Sequence, residues 1–310
     1  MSKKVLMHET KPAVSIVMCT FNGSLYLEGQ LNSILAQTYP IAELLIFDDA
    51  STDGTLDIIN RFSQKHSFIR VHVNPLNIGF TRNFEQALRA ATSPLIAIAD
   101  QDDVWLPGKL ERMIEAWEDD SPLIYCGSVL FKTQMPKNSK PNPLFRPFTG
   151  TDPRKIFLRN TVSGHATLIR KELLGVALPF HENIMYDWWL AVVAACNGGV
   201  QHYPEVLVMQ RQHEHNITAN ISISGSTQRR AYKKYIIRHL DRFSQVPGME
   251  PAQKEFADTF SLLLQKSLAI KFSLNLFSFI LRHAKTLFHY KKRRFPLVSY
   301  VKHAYKRTLN

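Results

Sequence analysis

Leu95-Ile96-Ala97-Ile98-Ala99-Asp100-Gln101-Asp102-Asp103-Val104-Trp105 runs five apolar residues straight into three carboxylates within four positions. An apolar run without polar alternation suits a strand buried on both faces, as in a parallel sheet covered by helices. In open parallel sheets ligands bind beyond the carboxyl ends of the strands. Asp100, Asp102 and Asp103 are therefore expected at a ligand crevice. Anions crowded this closely repel unless a cation or positive partner sits among them. As an isolated string the same residues describe an exposed acidic turn, and it is their position after a buried strand that favours the crevice.

The pattern repeats upstream. Val14-Ser15-Ile16-Val17-Met18 is β-rich, Asn22-Gly23 breaks it, and a helical period follows through Leu27, Leu31, Ile34 and Leu35. Tyr39-Pro40 ends that helix, and Glu43 to Phe47 makes a second strand that enters Asp48-Asp49-Ala50-Ser51-Thr52-Asp53-Gly54-Thr55. A helix around Leu56 to Phe62 leads to a third strand, Ile69 to Val73, then to Asn77-Ile78-Gly79 and a helix through Phe84 and Leu88. Downstream, Leu110 to Trp117 is helical, Leu123-Ile124-Tyr125 is a strand, and Thr161 to Arg170 is expected to return to the sheet. Residues 132–153, rich in Pro, Lys and Asn, are a mobile loop near the site or a surface insertion. Trp188 to Ala195 is an apolar helix opening after Asp187, for which Asp187 is a candidate N-cap. The class is α/β: a mostly parallel sheet flanked by helices, with the loops after Met18, Phe47 and Ala99 converging.

No GxGxxG follows the first strand, and Pro107-Gly108-Lys109 lacks the rest of a P-loop. Classical dinucleotide enzymes and P-loop kinases are thereby disfavoured. If glycines do not cradle phosphates, a metal held by carboxylates is the alternative, because hard divalent ions such as Mg²⁺ or Mn²⁺ take oxygen ligands and share their shell with substrate phosphates. Asp48 and Asp49 could start the next helix, or could accept a base N–H beside Thr20 and Asn22. The three loops together point to a nucleotide.

Cys19, Cys126 and Cys196 have neither disulfide-framework nor zinc spacing, and Met1 to Pro12 lacks the apolar core of a secretory signal, so a cytoplasmic protein is expected. The net charge of +12 is unevenly placed: no carboxylate side chain follows Asp258, whereas 11 Lys or Arg residues do. The apolar stretch within Leu262 to Leu281 is interrupted by Lys266 and Lys271, too short to cross a bilayer. The Lys291-Lys292-Arg293-Arg294 run, interleaved with Phe288, Tyr290, Phe295, Tyr300 and Tyr305, reads as an interfacial anchor on the inner face of the membrane. Helices packed on the preceding domain with a solvated basic tail are the alternative. Nucleic acid is not expected, since no stacking motif accompanies the basic run.

Val14 to Asn22, Phe47 to Thr55, Asn77-Ile78-Gly79 and Asp100-Gln101-Asp102-Asp103-Val104-Trp105 together resemble the family 2 glycosyltransferases of the GT-A fold, over roughly residues 12 to 215. The last of these motifs is most similar to the bacterial rhamnosyltransferase-like branch that builds surface polysaccharides. The resemblance implies a Rossmann-like catalytic domain over 12–220, after a tail of residues 1–11, with a helical, basic extension over 221–310. It implies that Thr20, Phe21, Asn22 and Asp49 hold the nucleotide, with Asp48 structural, and that Asp100 meets the donor and Asp102 the metal. Asp187, in Tyr186-Asp187-Trp188-Trp189, is implied as catalytic base, with Asp103, Trp188, Arg211 and His213 as secondary candidates. The expected reaction is metal-dependent inverting transfer from a UDP- or dTDP-linked sugar, rhamnose among them, to a saccharide or lipid-linked saccharide. A nucleotide-binding scaffold without turnover is the rival.

Overall fold

The computed structural model describes residues 11–134, 144–214 and 226–309. The apolar runs form β1 (Val14–Thr20), β2 (Glu43–Asp48), β3 (Ile69–Val73) and β4 (Leu95–Ala99), connected through α1 (Leu27–Leu35), α2 (Thr55–Lys65) and α3 (Phe80–Ala90). β1 pairs in parallel with both β2 and β4, and β2 with β3. The register sets Thr20 opposite Asp48 and Met18 opposite Ala99. The three polar loops therefore leave the sheet at one edge, as the strand order 3-2-1-4 requires.

Alternate residues of each strand serve two cores. Val17, Leu45, Phe47, Ile96 and Ile98 face α3 and the C-terminal helices, whereas Ile16, Met18, Leu44, Ile46 and Ala97 face α1 and α2. Burial on both faces accounts for apolar runs without alternation.

The second half of the sheet is antiparallel in part. After β5 (Val104–Trp105) and α4 (Lys109–Glu115), β6 (Leu123–Phe131), β7 (Thr167–Arg170) and β8 (Val200–Arg211) complete eight strands in the order β3-β2-β1-β4-β7-β6-β8-β5. β7 enters between β4 and β6, antiparallel to each. β6 is three times the length its apolar core predicts because Gly127 to Phe131 pair with Val206 to Arg211, a long-range partner that local pattern does not reveal. β5 pairs with β8, which carries the end of that strand to the carboxylate loop.

Residues 135–143 of the expected loop lie outside the described residues. From Leu144 onward the segment is packed rather than loose: Phe148 is buried, its N–H donating to Tyr125 Oη at 2.8 Å and its carbonyl accepting from the same hydroxyl at 3.0 Å.

α5 (Leu174–Ala177) and α6 (Tyr186–Cys196) precede β8, and α7 (Ser226–Phe243), α8 (Pro251–Ser267), α9 (Leu274–Arg282), α10 (Ala284–Leu287) and α11 (Pro296–Thr308) follow it. Phe243, Phe256, Phe260, Ile280, Phe288 and Ala304 join one hydrophobic core with Trp188, Val192 and Phe157. Phe288 and Tyr290, expected at a membrane interface, are buried in that core. No helix among the described residues is long and apolar enough to cross a membrane.

Candidate active site

A cleft of about 1160 Å³ opens at the carboxyl edge of the sheet, lined by Thr20, Phe21, Asn22, Asp49, Asp100, Asp102, Asp187, Trp188 and His213 among others. Within this cleft the polar loops are tied to one another. Gln101 clamps the first loop to the third, its Oε1 accepting from Phe21 N at 3.0 Å and its Nε2 donating to Phe21 O at 3.1 Å. Asn22, at φ 47°, donates its N–H to Ser51 Oγ and accepts from Thr52 N, each at 2.9 Å. Phe21 stays exposed at the mouth of the cleft.

The two adjacent aspartates differ in work. Asp48 is fully buried and accepts from Thr20 Oγ1 at 2.7 Å and from Ser51 N at 2.8 Å, which occupies it structurally. Asp49 accepts from Asn74 Nδ2 and Ile78 N on Oδ1 and from Gly79 N on Oδ2, all at 2.9 Å. It thus ties Asn77-Ile78-Gly79 to the site and retains acceptor capacity on Oδ2.

Around the carboxylate loop, His165 Nδ1 lies 3.7 Å from both Asp100 Oδ2 and Asp103 Oδ2. Burial pushes the Asp103 carboxyl up, opposed by His165 and reinforced by Asp100 and Asp102. Burial alone would depress His165, but Asp103 and Asp100 outweigh it and hold it raised. The two groups thus bias each other's protonation, each opposing the effect of burial on the other. Lys109 lies beneath, its Nζ 3.3 Å from the Trp105 ring centroid and donating to His165 O, with burial pushing it down to about 8. Asp102 Oδ2 meets His213 Nε2 at 2.6 Å, and its carboxyl is raised by burial and by Asp100 against the pull of His213. Arg211 donates its backbone N–H to Asp103 Oδ1 and its Nε to Asp102 O. Arg211 and His213 therefore pack directly on the carboxylate loop.

The set fits a divalent cation. Asp100, Asp103 and His165 present ligand atoms within 4.8 Å of one another, and Asp103 Oδ2 is buried with no hydrogen-bond partner. A buried orphan carboxylate oxygen among three acids is costly without a positive partner.

Asp187, the expected N-cap, instead sits in the first turn of α6, two positions inside the N-cap, which is Met185. Its Oδ1 accepts from Trp188 N at 2.7 Å, and the Gly164 N–H also donates to it. Burial raises its carboxyl to about 6, with Asp100 adding and these two donors opposing. A Cβ on Gly164 would lie 2.7 Å from Tyr186 Oη and 3.1 Å from Asp187 Cβ, so a residue without a side chain is what lets the carboxylate reach the cleft. Trp188 is mainly a core residue, its Nε1 donating to Ile156 O at 2.9 Å.

Sequence reasoning missed Gln101, His165, Gly164 and the lining residues Arg159, Tyr232, Tyr235 and Arg307. Gln101 stands inside the quoted motif. The others come from remote segments that the fold alone brings together.

A family model described as "Glycosyl transferase family 2" matches residues 15–176. TuaG of Bacillus subtilis, a glycosyltransferase assigned to teichuronic acid biosynthesis, is 36% identical over 105 residues, 34% of this chain and 42% of its own. The chain spans 33% to 67% of the length of the first curated relatives it matches. Among solved structures, Staphylococcus aureus TarS 1-349 in complex with UDP-GlcNAc superposes with a TM-score of 0.63 at 18% identity, covering 96% of this chain and 90% of that one. The mannosyltransferase PcManGT of Pyrobaculum calidifontis, in complex with GDP-Man and Mn²⁺, gives 0.57 at 16% identity, covering 95% and 80%. At these identities the structural likeness establishes the GT-A fold.

Proposed function

This chain belongs to glycosyl transferase family 2, and on that premise we propose that it is an inverting transferase moving a hexose or rhamnose from a UDP- or dTDP-linked donor to a saccharide or lipid-linked saccharide in surface-polysaccharide synthesis. The observation that carries this reading is one cleft holding Thr20, Asn22, the Asp100 to Asp102 loop and Asp187. The similarity to TuaG supports the polysaccharide assignment, and the UDP-GlcNAc complex of TarS supports a nucleotide-sugar donor.

Thr20, Phe21, Asn22 and Asp49 hold the nucleotide in this reading. Asp187, near about 6, is ionised at neutral pH and takes the proton of an acceptor hydroxyl as that oxygen attacks the anomeric carbon. The nucleoside diphosphate departs from the opposite face, a logic shared with inverting glycoside hydrolysis. Asp102 with Asp100 would hold Mg²⁺ or Mn²⁺ in this reading, and Asp103 and His165, whose ligand atoms cluster with those of Asp100, could complete the set. When bound, such an ion supplies positive charge to the leaving diphosphate. Arg211 and His213 brace Asp102.

The C-terminal segment is assigned to the inner membrane face. Phe295, Leu297, Val298 and Val301 are exposed on and beside α11, flanked by Lys292, Arg293, Arg294 and Lys302. Apolar and basic side chains on one exposed surface match the chemistry of an anionic interface.

The decisive experiment is calorimetric titration of UDP, dTDP and GDP into wild type and Asp102→Asn, with Mn²⁺ or Mg²⁺ and again with EDTA. Metal-dependent binding of one pyrimidine diphosphate, weakened in the variant, is expected. Binding of none under any condition would overturn the reading, and binding without transfer would leave a scaffold that has lost turnover.

A further inference from the structure

The cleft that holds Asp187 also receives Arg159, from the segment before β7, and Arg307, from α11. A run of aromatic rings connects the two regions: Trp188 to Tyr235 at 5.9 Å, Tyr235 to Tyr232 at 6.2 Å, and the Arg307 guanidinium 4.3 Å from the Tyr232 centroid. Arg159 stands 5.2 Å from the Tyr290 ring, and Lys291 Nζ contacts His303 at 2.8 Å.

None of these three cations takes part in a salt bridge among the described residues. The segments outside the described residues contain one carboxylate side chain, Glu9. Burial, then Arg293, Arg307, Arg159 and Lys306, push Lys291 down to about 8. Arg307 Nη1 is buried with no hydrogen-bond partner. Like charges gathered at a cleft with an unsatisfied guanidinium nitrogen call for an anion that the chain does not itself provide. Arginine suits phosphate because its planar fork donates two parallel hydrogen bonds.

We propose that Arg159 and Arg307, backed by Lys291, form a subsite that binds a phosphate carried by the acceptor, placing its reacting hydroxyl toward Asp187. The inference rests on the transferase reading of the cleft and adds that α11 takes part in acceptor recognition.

The test is calorimetric titration of inorganic diphosphate, and separately geranyl diphosphate, into wild type, Arg159→Gln and Arg307→Gln in EDTA. Chelation silences metal-dependent binding at the carboxylate loop. Binding to wild type that weakens about tenfold or more in each variant is expected from loss of a charge-assisted hydrogen bond. Tighter binding of geranyl diphosphate would mark the phosphate as lipid-linked; equal binding would mark phosphate alone. UDP binding with Mn²⁺, measured on the same samples, should be unchanged, which also reports that the variants are folded. No diphosphate binding to wild type, or variants that bind as wild type does, would overturn the subsite. Arginine-dependent diphosphate binding without any nucleotide binding would instead bring down the transferase reading and leave the subsite standing.

Discussion

Burial holds the Asp187 carboxyl at about 6, two backbone donors resisting it. As a base it works only when ionised, so kcat/KM is expected to rise about tenfold per pH unit below that value and level off above it, read from a pH–rate profile. Asp187→Asn should lower kcat by ~10²–10⁴-fold while nucleotide binding by calorimetry is unchanged. The sign for stability runs the other way. A carboxyl raised in the folded state contributes stability below its unfolded value near ~4 and loses it as pH climbs through about 6. Asp187→Asn should therefore unfold at a higher temperature than wild type at neutral pH. Gly164 belongs to the same scale: Gly164→Ala places a methyl against Tyr186 Oη and Asp187 Cβ. Displacing the carboxylate should lower kcat, by up to the ~10²-fold that a misplacement of about 1 Å costs, with nucleotide affinity kept, which a separate titration checks. Asp187 was singled out in the sequence by the family resemblance of Tyr186-Asp187-Trp188-Trp189, whereas Gly164 and His165 carry no local signal.

Among the elements, α6 and α7 decide how far the catalytic region depends on the C-terminal helices. Phe243 at the end of α7 is buried, 5.7 Å from the Phe157 ring and 5.5 Å from that of Trp188, the residue after Asp187. Phe243→Ala is expected to destabilise the fold by ~3–5 kcal/mol, the usual cost of an emptied aromatic site. Urea denaturation followed by tryptophan fluorescence would measure it. If 12–220 and 221–310 are energetically one unit, far-UV circular dichroism will follow the same single transition; two separated transitions would divide the chain at that boundary. β1 to β4 were legible because burial on both faces writes continuous apolar runs. Most of β6 was not, because it is defined by a partner strand distant in sequence, and β7 was legible only as a return of 161–170 to the sheet, without its antiparallel place between β4 and β6.

At the scale of the whole molecule, charge is segregated, with 11 basic and no acidic side chains after Asp258. Part of that charge turns inward: Lys291 and Arg307 pack against Phe288, Tyr290 and Tyr232. The rest remains outside, beside exposed Phe295, Leu297 and Val298. Pelleting with vesicles containing phosphatidylserine should retain the protein at low salt and release it as ionic strength rises, while vesicles of phosphatidylcholine alone should bind it much less. Equal behaviour with both would remove the membrane assignment.

Sequence by itself determined the α/β class, the three polar loops at one sheet edge and the carboxylates in them, since strand burial, turn chemistry and charge crowding are all short-range in the chain. The tertiary structure decided which groups meet there. It set His213 on Asp102, His165 between Asp100 and Asp103, and Gly164 under Asp187. It also folded part of an outwardly basic tail back into the cleft. Contacts between residues so far apart arise from sheet order and helix packing, and no window of sequence contains both partners.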